Sequence, residues 1–506
     1  MKLYSKFNIQ KGILKSFKRY FGMIVAIVLQ SLTVSSQHKN LLDVTKEDLI
    51  ADYRLAMDIL KKQHPNPYKF IDSTDFNRKV DSLLTMMNAQ PDVLNCSQYS
   101  PLYLIRDVHT NLRFSEDNSR NIFGMIHFFP FPVIIEREKI FINIKGAEIP
   151  FGSEVLSIDG MTVKDIIAAL VASVYSDGHI NTGTDRIASN FQLLFSLLAP
   201  DRESFRITYT TPGSSAVKKV TIPFSSPTKA FHDSRLAILP MNQLQRAYLV
   251  YRNYFDDTKT GLLTINTFSL SESAAYKEFS EFFKEVNQRG YEHVIIDIRS
   301  NGGGNPAISA LLYSFLADAP FKNVYNYRTR TIDIAYPEYA IADYGRKLSD
   351  EDIRNHKNFL YQRFDKDSSG IYIGNARLKE GQLENFPPDK DAFKGKVYVL
   401  TGGGTVSAAT YFASLVRKNK RGLVIGKETG SGEKATTAAW FLKYMLPRTK
   451  SILTVPLSEL YFFNASADDG RGLIPDREVP LEKFVTYARA GQDPELMYAL
   501  ELINAL

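Results

Sequence analysis

The stretch Val397–Gly432, VYVLTGGGTVSAATYFASLVRKNKRGLVIGKETGSG, constrains this chain more than any other. It opens on a short apolar run bounded by polar residues, the pattern of a strand buried on both faces of a parallel sheet. Gly402–Gly404 break the run, and Thr405-Val406-Ser407 follow. From Ala408 the apolar residues Ala409, Phe412, Ala413 and Val416 recur at spacings of three and four, which predicts a helix. Leu423-Val424-Ile425 is a second apolar run, closed by another glycine-rich turn. Ser407 therefore sits where a strand gives way to a helix, on a rigid turn beside the unpaired N–H groups of the helix start. A serine in that place serves either as a helix cap or as a nucleophile. The G-x-S-x-G elbow of α/β-hydrolases is absent, because the local sequence is Gly404-Thr405-Val406-Ser407-Ala408-Ala409.

The rest of the chain falls into four parts: residues 1–36, 37–122, 123–228 and 229–506. In the first, six basic residues precede the apolar run Phe21–Leu29, and the small residues Val34, Ser35 and Ser36 follow. This is the order of a secretory signal peptide, and the run is short of the ~20 residues a membrane span needs. An exported chain, periplasmic or associated with the cell envelope, is expected. A membrane would be a partner only if the segment stayed uncleaved. No cysteine lies near the cleavage site, which argues against lipoprotein attachment. Those six bases account for nearly all of the formal +7, since the remaining 56 basic residues balance 55 acidic ones. The charge gives no support for nucleic-acid binding. The single cysteine, Cys96, excludes an internal disulfide and any cysteine-cluster metal site.

From Leu41 the pattern is helical, with starts at Thr45-Lys46-Glu47-Asp48 and Ser73-Thr74-Asp75. A further helix is expected from Tyr99 to about Asp107, before a strand beginning at LRFS. From about Phe129 strands dominate. VIIE and KIFINI pair as a hairpin, Asp159-Gly160 makes a hairpin turn, a helix spans Thr162–Val174, and Phe205–Thr210 and Val217–Ile222 close the unit. Ser225 to about Arg246 is expected to be a linker. The remainder alternates strand and helix, interrupted by a polar insertion at about Tyr325–Asp391 that is expected to be a partly helical lid or a surface excursion. The fold class is α/β, a layered sheet with an N-terminal helical region.

Acyl transfer needs a nucleophile, a base, an orienting acid and an oxyanion hole. Ser407 is the candidate nucleophile. Gly302–Gly304 follow a buried strand and precede a helix, so their N–H groups suit an oxyanion hole or simply a tight turn. A nucleotide loop is disfavoured: there is no G-x-x-x-x-G-K-[ST], and Asn305-Pro306 removes a donor. Of the scattered histidines, His109 stands at an element boundary in a D-x-H-T context that suits an oriented imidazole. His64 precedes Pro65, as a helix-end cap would. Asp468 and Asp469, in NASADDGRGLIPD, are either orienting acids or solvated turn residues. No His, Asp or Glu cluster has the spacing of a metal site, and no cofactor is expected.

Taken together, these segments resemble the C-terminal-processing, or tail-specific, serine peptidase family, whose wider group includes the tricorn protease core. The resemblance rests on Asp297-Ile-Arg-Ser-Asn-Gly-Gly-Gly304, Ser407-Ala-Ala-Thr-Tyr-Phe-Ala, Arg421-Gly-Leu-Val-Ile-Gly-Lys-Glu-Thr-Gly430 and Gly472-Leu-Ile-Pro-Asp476, in that order. It implies a layered α/β core of the ClpP/crotonase-like kind and Ser407 as nucleophile. It implies Ala408 N–H and a glycine of Gly302–Gly304, foremost Gly303, as the oxyanion hole. It also implies a degenerate PDZ-like module over Phe129–Phe224. The Ser/Lys branch of the family carries its lysine about 25 residues after the serine, where this chain has Gly432, with Lys427 and Lys434 off register. The tricorn-like branch uses a histidine from before the module and an acid just before the G-x-x-PD turn, which here correspond to His109 and Asp469. Val108 stands where the tricorn core has a serine. Asp468 and Asp107 are the other acids available to orient His109.

The resemblance thus implies a serine peptidase acting on peptide or protein substrates through a Ser407 acyl-enzyme. The alternatives are a non-catalytic peptide- or ligand-binding protein on the same fold and a non-peptidase serine hydrolase such as an esterase.

Overall fold

The computed structural model describes residues 44–91, 93–96, 99–171, 173–342, 345–378, 382–463, 465 and 467–505. The expected signal segment lies outside the described residues. Among those described, no helix is long and apolar enough to cross a membrane.

The central sheet runs in the order Leu423–Gly426, Lys396–Thr401, His293–Asp297, Thr260–Ile265, Val250–Phe255. Its first four strands are parallel and the last is antiparallel. The apolar runs are unbroken because both faces are covered. Leu263, Val294, Ile296, Val397, Val399 and Val424 point to one side, towards the helices Glu272–Gln288, Pro306–Ser314 and Ala408–Lys418. Leu262, Ile295, Tyr398, Leu400 and Ile425 point to the other, against Ala499 and Ile503 of the C-terminal helix Pro494–Asn504. The expected α/β class is the class observed, and the alternation follows from the two-residue period of a strand.

The N-terminal helices Lys46–Gln63 and Ser73–Asn88 do not stand apart. Leu49, Met57, Leu60, Phe76 and Leu84 are buried in the same core as the central helices. Residues 133–223 form a separate sheet, ordered Val133–Glu136, Lys139–Ile142, Glu154–Ile158, Ser204–Thr210, Val217–Pro223, around its own core of Phe129, Phe191, Phe195 and Phe205. The Asp159-Gly160 turn has positive φ at both residues (52° and 86°), as a two-residue hairpin turn requires.

Four local expectations are corrected. Residues 99–107 form only a short 3-10 helix, Pro101–Ile105, which ends on Arg106 in the left-handed region. The helix expected to run to Val174 is Val163–Val171. The expected linker holds two helices, Pro227–Arg235 and Gln243–Ala247, the second opened by an Asn242/Gln245 capping box. The polar insertion is more than an excursion. Its strand Phe321–Thr329 pairs with Ser458–Phe462 and supports the hairpin Phe364–Lys366/Tyr372–Gly374, with helix Asp350–Arg363 before it. Short strands carried too little periodicity to reveal these pairings, and the one with Ser458–Phe462 joins segments more than 100 residues apart.

A buried charge cluster ties the C-terminal helix to the sheet. Arg299 donates to both oxygens of Asp297 (3.0 and 2.8 Å), to both oxygens of Asp493 (2.7 and 2.6 Å) and to Glu495 (2.9 Å). Burial would weaken the guanidinium charge, but the three carboxylates hold its pKa far above its ordinary range. Burial pushes the Asp493 carboxyl up to about 6 against the pull of Arg299. Removing Arg299 would leave three buried carboxylates uncompensated. Arg299→Ala is expected to cost about 3–5 kcal/mol of stability, measured by urea unfolding at neutral pH.

Candidate active site

The strand Lys396–Thr401 ends in a glycine turn that cannot take side chains. A Cβ on Gly403 would lie 1.7 Å from Thr182 O. The turn is bonded to the neighbouring strand end: Val406 N–H donates to Asn301 O (3.0 Å), and the Thr405 hydroxyl donates to Ile298 O (2.9 Å). Ser407 emerges at φ 58°, ψ −124°, in the left-handed half of backbone space, which a non-glycine residue pays for with about 1–3 kcal/mol. It occupies the N-cap position of helix Ala408–Lys418 but makes no side-chain cap hydrogen bond. The capping use of the hydroxyl is therefore not the one this structure makes of it. The Ser407 N–H donates instead to Ser431 Oγ (2.7 Å), whose own proton goes to Thr410 Oγ1 (2.8 Å).

Gly303, at φ 93°, faces Ser407 so closely that a Cβ there would meet Ser407 Cβ at 2.7 Å and Ala408 N at 3.2 Å. The Gly303 N–H donates to Asn301 Oδ1 (2.9 Å). The Ala408 N–H, first of its helix, has no hydrogen-bond partner among the described residues, and Ala408 lines the same space as Ser407 and Gly303.

His109 reaches this place from the other end of the chain. Strand Asn111–Arg113 pairs with Ile452–Val455, Asn111 opposite Thr454, which fixes the preceding loop against the C-terminal half. Ser407, Ala408, His109 and Gly302–Gly304 line one cavity of about 640 Å³. Its remaining wall is mostly apolar, with Tyr325, Tyr327, Phe441, Leu460 and Phe462. No direct hydrogen bond joins Ser407 to His109.

Two buried carboxylates flank the imidazole. Asp107, 3% exposed, places Oδ1 3.8 Å from His109 Nδ1 and accepts the His109 backbone N–H at 2.8 Å. Its Oδ2 accepts from His64 Nε2 (2.9 Å) and the Thr110 hydroxyl. The Asn66 N–H donates to His64 Nδ1 (3.2 Å), which leaves the His64 proton on Nε2, facing Asp107. Burial opposes the Asp107 charge, but His64, His109 and Thr110 outweigh it and hold the carboxyl well below its usual range. The second acid is Asp177. Burial and the Asp107 charge push its carboxyl up, against His109 and the hydrogen bonds from Thr436 and Val108. His109 Nδ1 faces two acceptors, Asp107 Oδ1 and, at 3.5 Å, Thr436 Oγ1, whose proton is given to Asp177 at 2.6 Å. This arrangement puts the His109 proton on Nδ1 and leaves the Nε2 lone pair free to act as a base.

Asp469 is not brought to His109. It is half-exposed and bonded to Lys434 (2.7 Å), which holds its carboxyl below the usual range. The Asp468 side chain is buried and paired with Lys69 (2.6 Å), which also binds Glu459. Asp177 and Thr436 went unnoticed in the sequence, and His64 was read there only as a helix-end cap. His64 does end a helix as expected, its N–H bonding Leu60 O, but its ring serves Asp107. No local signal marks Asp177, because its partners lie 69 and 259 residues away.

Asp107, His109 and Asp177 bring ligand atoms within 4.8 Å of one another, a grouping the sequence spacing did not reveal. Their carboxylate oxygens accept protein N–H and O–H donors: His109, His64 and Thr110 on Asp107, and Val108, Thr436 and Gly432 on Asp177. That donor set suits anions arranged around an imidazole rather than a cation cage.

Asp107 ionises more readily in the folded chain than in the unfolded one. Its contribution to stability is therefore complete above the unfolded carboxyl pKa of about 3.9 and is lost as pH falls through the lower folded value. Asp107→Asn is expected to lower the melting temperature at pH 7 and to flatten its further decline below about pH 4, checked by thermal melts between neutral and strongly acidic buffer.

Residues 259–479 match the family described as Peptidase family S41. No curated protein sequence matches the chain. Among solved structures, mature CPAF superposes with a TM-score of 0.59 at 16% identity, over 91% of this chain and 98% of that one. The CPAF S499A mutant gives 0.61 at 14%, over 91% and 98%. At these identities the likeness is one of fold. The tricorn protease aligns over 91% of this chain and 37% of its own, at 16% identity and a TM-score of 0.37.

Proposed function

We propose that this chain, whose residues 259–479 belong to peptidase family S41, hydrolyses peptide bonds of protein or peptide substrates through an acyl-enzyme on Ser407. The observation that carries the proposal is the Ser407 turn. A strained serine at a helix start, with its hydroxyl unused as a cap, shares a cavity with an imidazole whose Nε2 is free. Strain of this kind persists only where surrounding bonds impose it.

In the proposed reaction His109 Nε2 takes the Ser407 proton as Oγ attacks the substrate carbonyl. The gap between serine and histidine closes as substrate binds, as is common where apo geometry is loose. The tetrahedral oxyanion rests on the Ala408 N–H and on the Gly303 N–H, which Asn301 holds in the resting chain. His109 then carries both ring protons, and Asp107, 3.8 Å away, stabilises that charge in the role first expected of Asp469. The imidazolium passes its proton to the leaving amine, and water, activated by the same histidine, releases the acyl group. The apolar wall of the cavity favours an uncharged substrate side chain beside the scissile bond. Action outside the cytoplasm, in the periplasm or cell envelope, follows from the signal-like segment at residues 1–36.

A fluorophosphonate probe is expected to label wild-type chain at Ser407, read by peptide mass spectrometry. Ser407→Ala should abolish labelling and reduce hydrolysis of a quenched fluorescent peptide by about 10³-fold or more. His109→Gln should do the same to hydrolysis while the chain stays folded. Full peptidase activity in Ser407→Ala would refute the proposal. Turnover of esters without peptides would identify a different hydrolase.

A further inference from the structure

We infer that Asp177 is a positioning residue for the His109 imidazole, so that the unit spanning residues 123–228 completes the active site. The inference rests on the Ser407–His109 reading above. Asp177 follows helix Val163–Val171 and precedes helix Thr184–Ser189, outside the matched family region, and the residue is 5% exposed. Its two oxygens hold three segments that meet at His109. Oδ1 accepts the N–H of Val108, the residue before the histidine, at 2.9 Å. Oδ2 accepts the Thr436 hydroxyl at 2.6 Å and the Gly432 N–H at 3.0 Å. Gly432 is the position where the Ser/Lys pattern would carry its lysine, so a backbone N–H bound to a carboxylate stands in that place.

The bond to Thr436 orients the base. A hydroxyl has one proton, which Thr436 directs at Asp177 in a hydrogen bond, so Thr436 turns a lone pair towards His109 Nδ1. The Nδ1 proton stays on that side, and Nε2 remains the basic nitrogen. Asp177 does not itself accept a proton in this scheme. Its negative charge lies within reach of the ring, since ligand atoms of Asp107, His109 and Asp177 lie within 4.8 Å of one another. Asp177 is in turn clamped by its neighbours: the Gly178 N–H donates to Arg106 O (3.0 Å) and the His179 N–H to Gly470 O (2.8 Å). At Gly178, φ is 54° and a Cβ would lie 2.5 Å from Gly470 Cα, so the segment reaches the Gly470 loop only as glycine.

Other charged groups face this point. His64 and Asp107 lie on the histidine side, Lys69 and Asp468 across a small cleft, and Arg106 and Arg186 beside Asp177 itself. Lys69 and Asp468 are paired with one another. The change of charge at position 177 is therefore best read through the titration of His109.

The test measures the rate of fluorophosphonate labelling of Ser407 against pH in the full-length chain. Asp177→Asn is expected to slow labelling at least about ten-fold, the range of a mispositioned general base. It should also move the acid limb to lower pH by about half a unit or more, because the imidazolium loses a neighbouring negative charge. Asp177→Glu restores the charge and should return the limb towards wild type. A rate that stays unchanged, or one that falls with the limb unmoved, overturns the inference and leaves Asp177 a scaffold residue. If the asparagine variant melts below the assay temperature, Thr436→Val decides by the same two readouts. Wild-type chain that is not labelled at Ser407 overturns the proposed function as well. Labelling that depends on His109 but not on Asp177 overturns this inference alone.

Discussion

Two parallel strand ends lock onto each other, and the site depends on that lock. The strand His293–Asp297 runs into Ile298–Gly304, and its neighbour Lys396–Thr401 runs into Gly402–Ser407. Ile298 N–H bonds Leu400 O, the Thr405 hydroxyl bonds Ile298 O, and Val406 N–H bonds Asn301 O. These bonds are buried, so leaving any of them unmade would carry a desolvation cost. Together they hold Ser407 at a φ it would not otherwise adopt. Open α/β sheets concentrate function at the carboxyl ends of their strands for this reason: the ends are rigid, and the helix starts beyond them carry unpaired donors.

Buried charge sets the next level of organisation. Arg299 joins one of the locked turns to the C-terminal helix through Asp493 and Glu495. Lys427, beside the second turn, binds Asp185 and Glu136 of the 133–223 unit at 2.8 Å each. Burial works against the Lys427 ammonium, yet Asp185, Glu136 and Glu495 raise its pKa far above the usual lysine range. Asp185 also accepts the Gly403 N–H (2.9 Å), so the separate sheet touches the glycine turn that presents Ser407. Ion pairs of this kind add little net stability over apolar packing, but each fixes one arrangement of its segments because an unpaired partner is costly.

Fold class and the strand-to-helix turn that carries Ser407 were legible for a physical reason. Strand and helix periods are local, so the runs around Val397 and Val294 and the helix after Ser407 declare themselves within a dozen residues. The Asp159-Gly160 hairpin was legible because only certain residues tolerate its backbone. His109 stood out through its element boundary and D-x-H-T context. The acids that lie beside His109 were not legible in the same way. Asp469 matched a family position, yet Lys434 is the cation within its reach. Asp107 is next to His109 by chain geometry, and Asp177 arrives through a loop of a different sheet.

The sequence by itself determined the central strands and the helices that follow them, that a serine tops a strand-to-helix turn, and that no nearby lysine occupies the family register. Each of those follows from interactions over a few residues. Only the tertiary structure decided that the Ser407 hydroxyl is released from capping, that His64 and Thr436 stand behind His109, and that Asp177 joins them. Those outcomes depend on buried hydrogen bonds between residues 43 to 327 positions apart. Whether a polar group can afford burial is settled by the partners that meet it there, and the chain order does not name them.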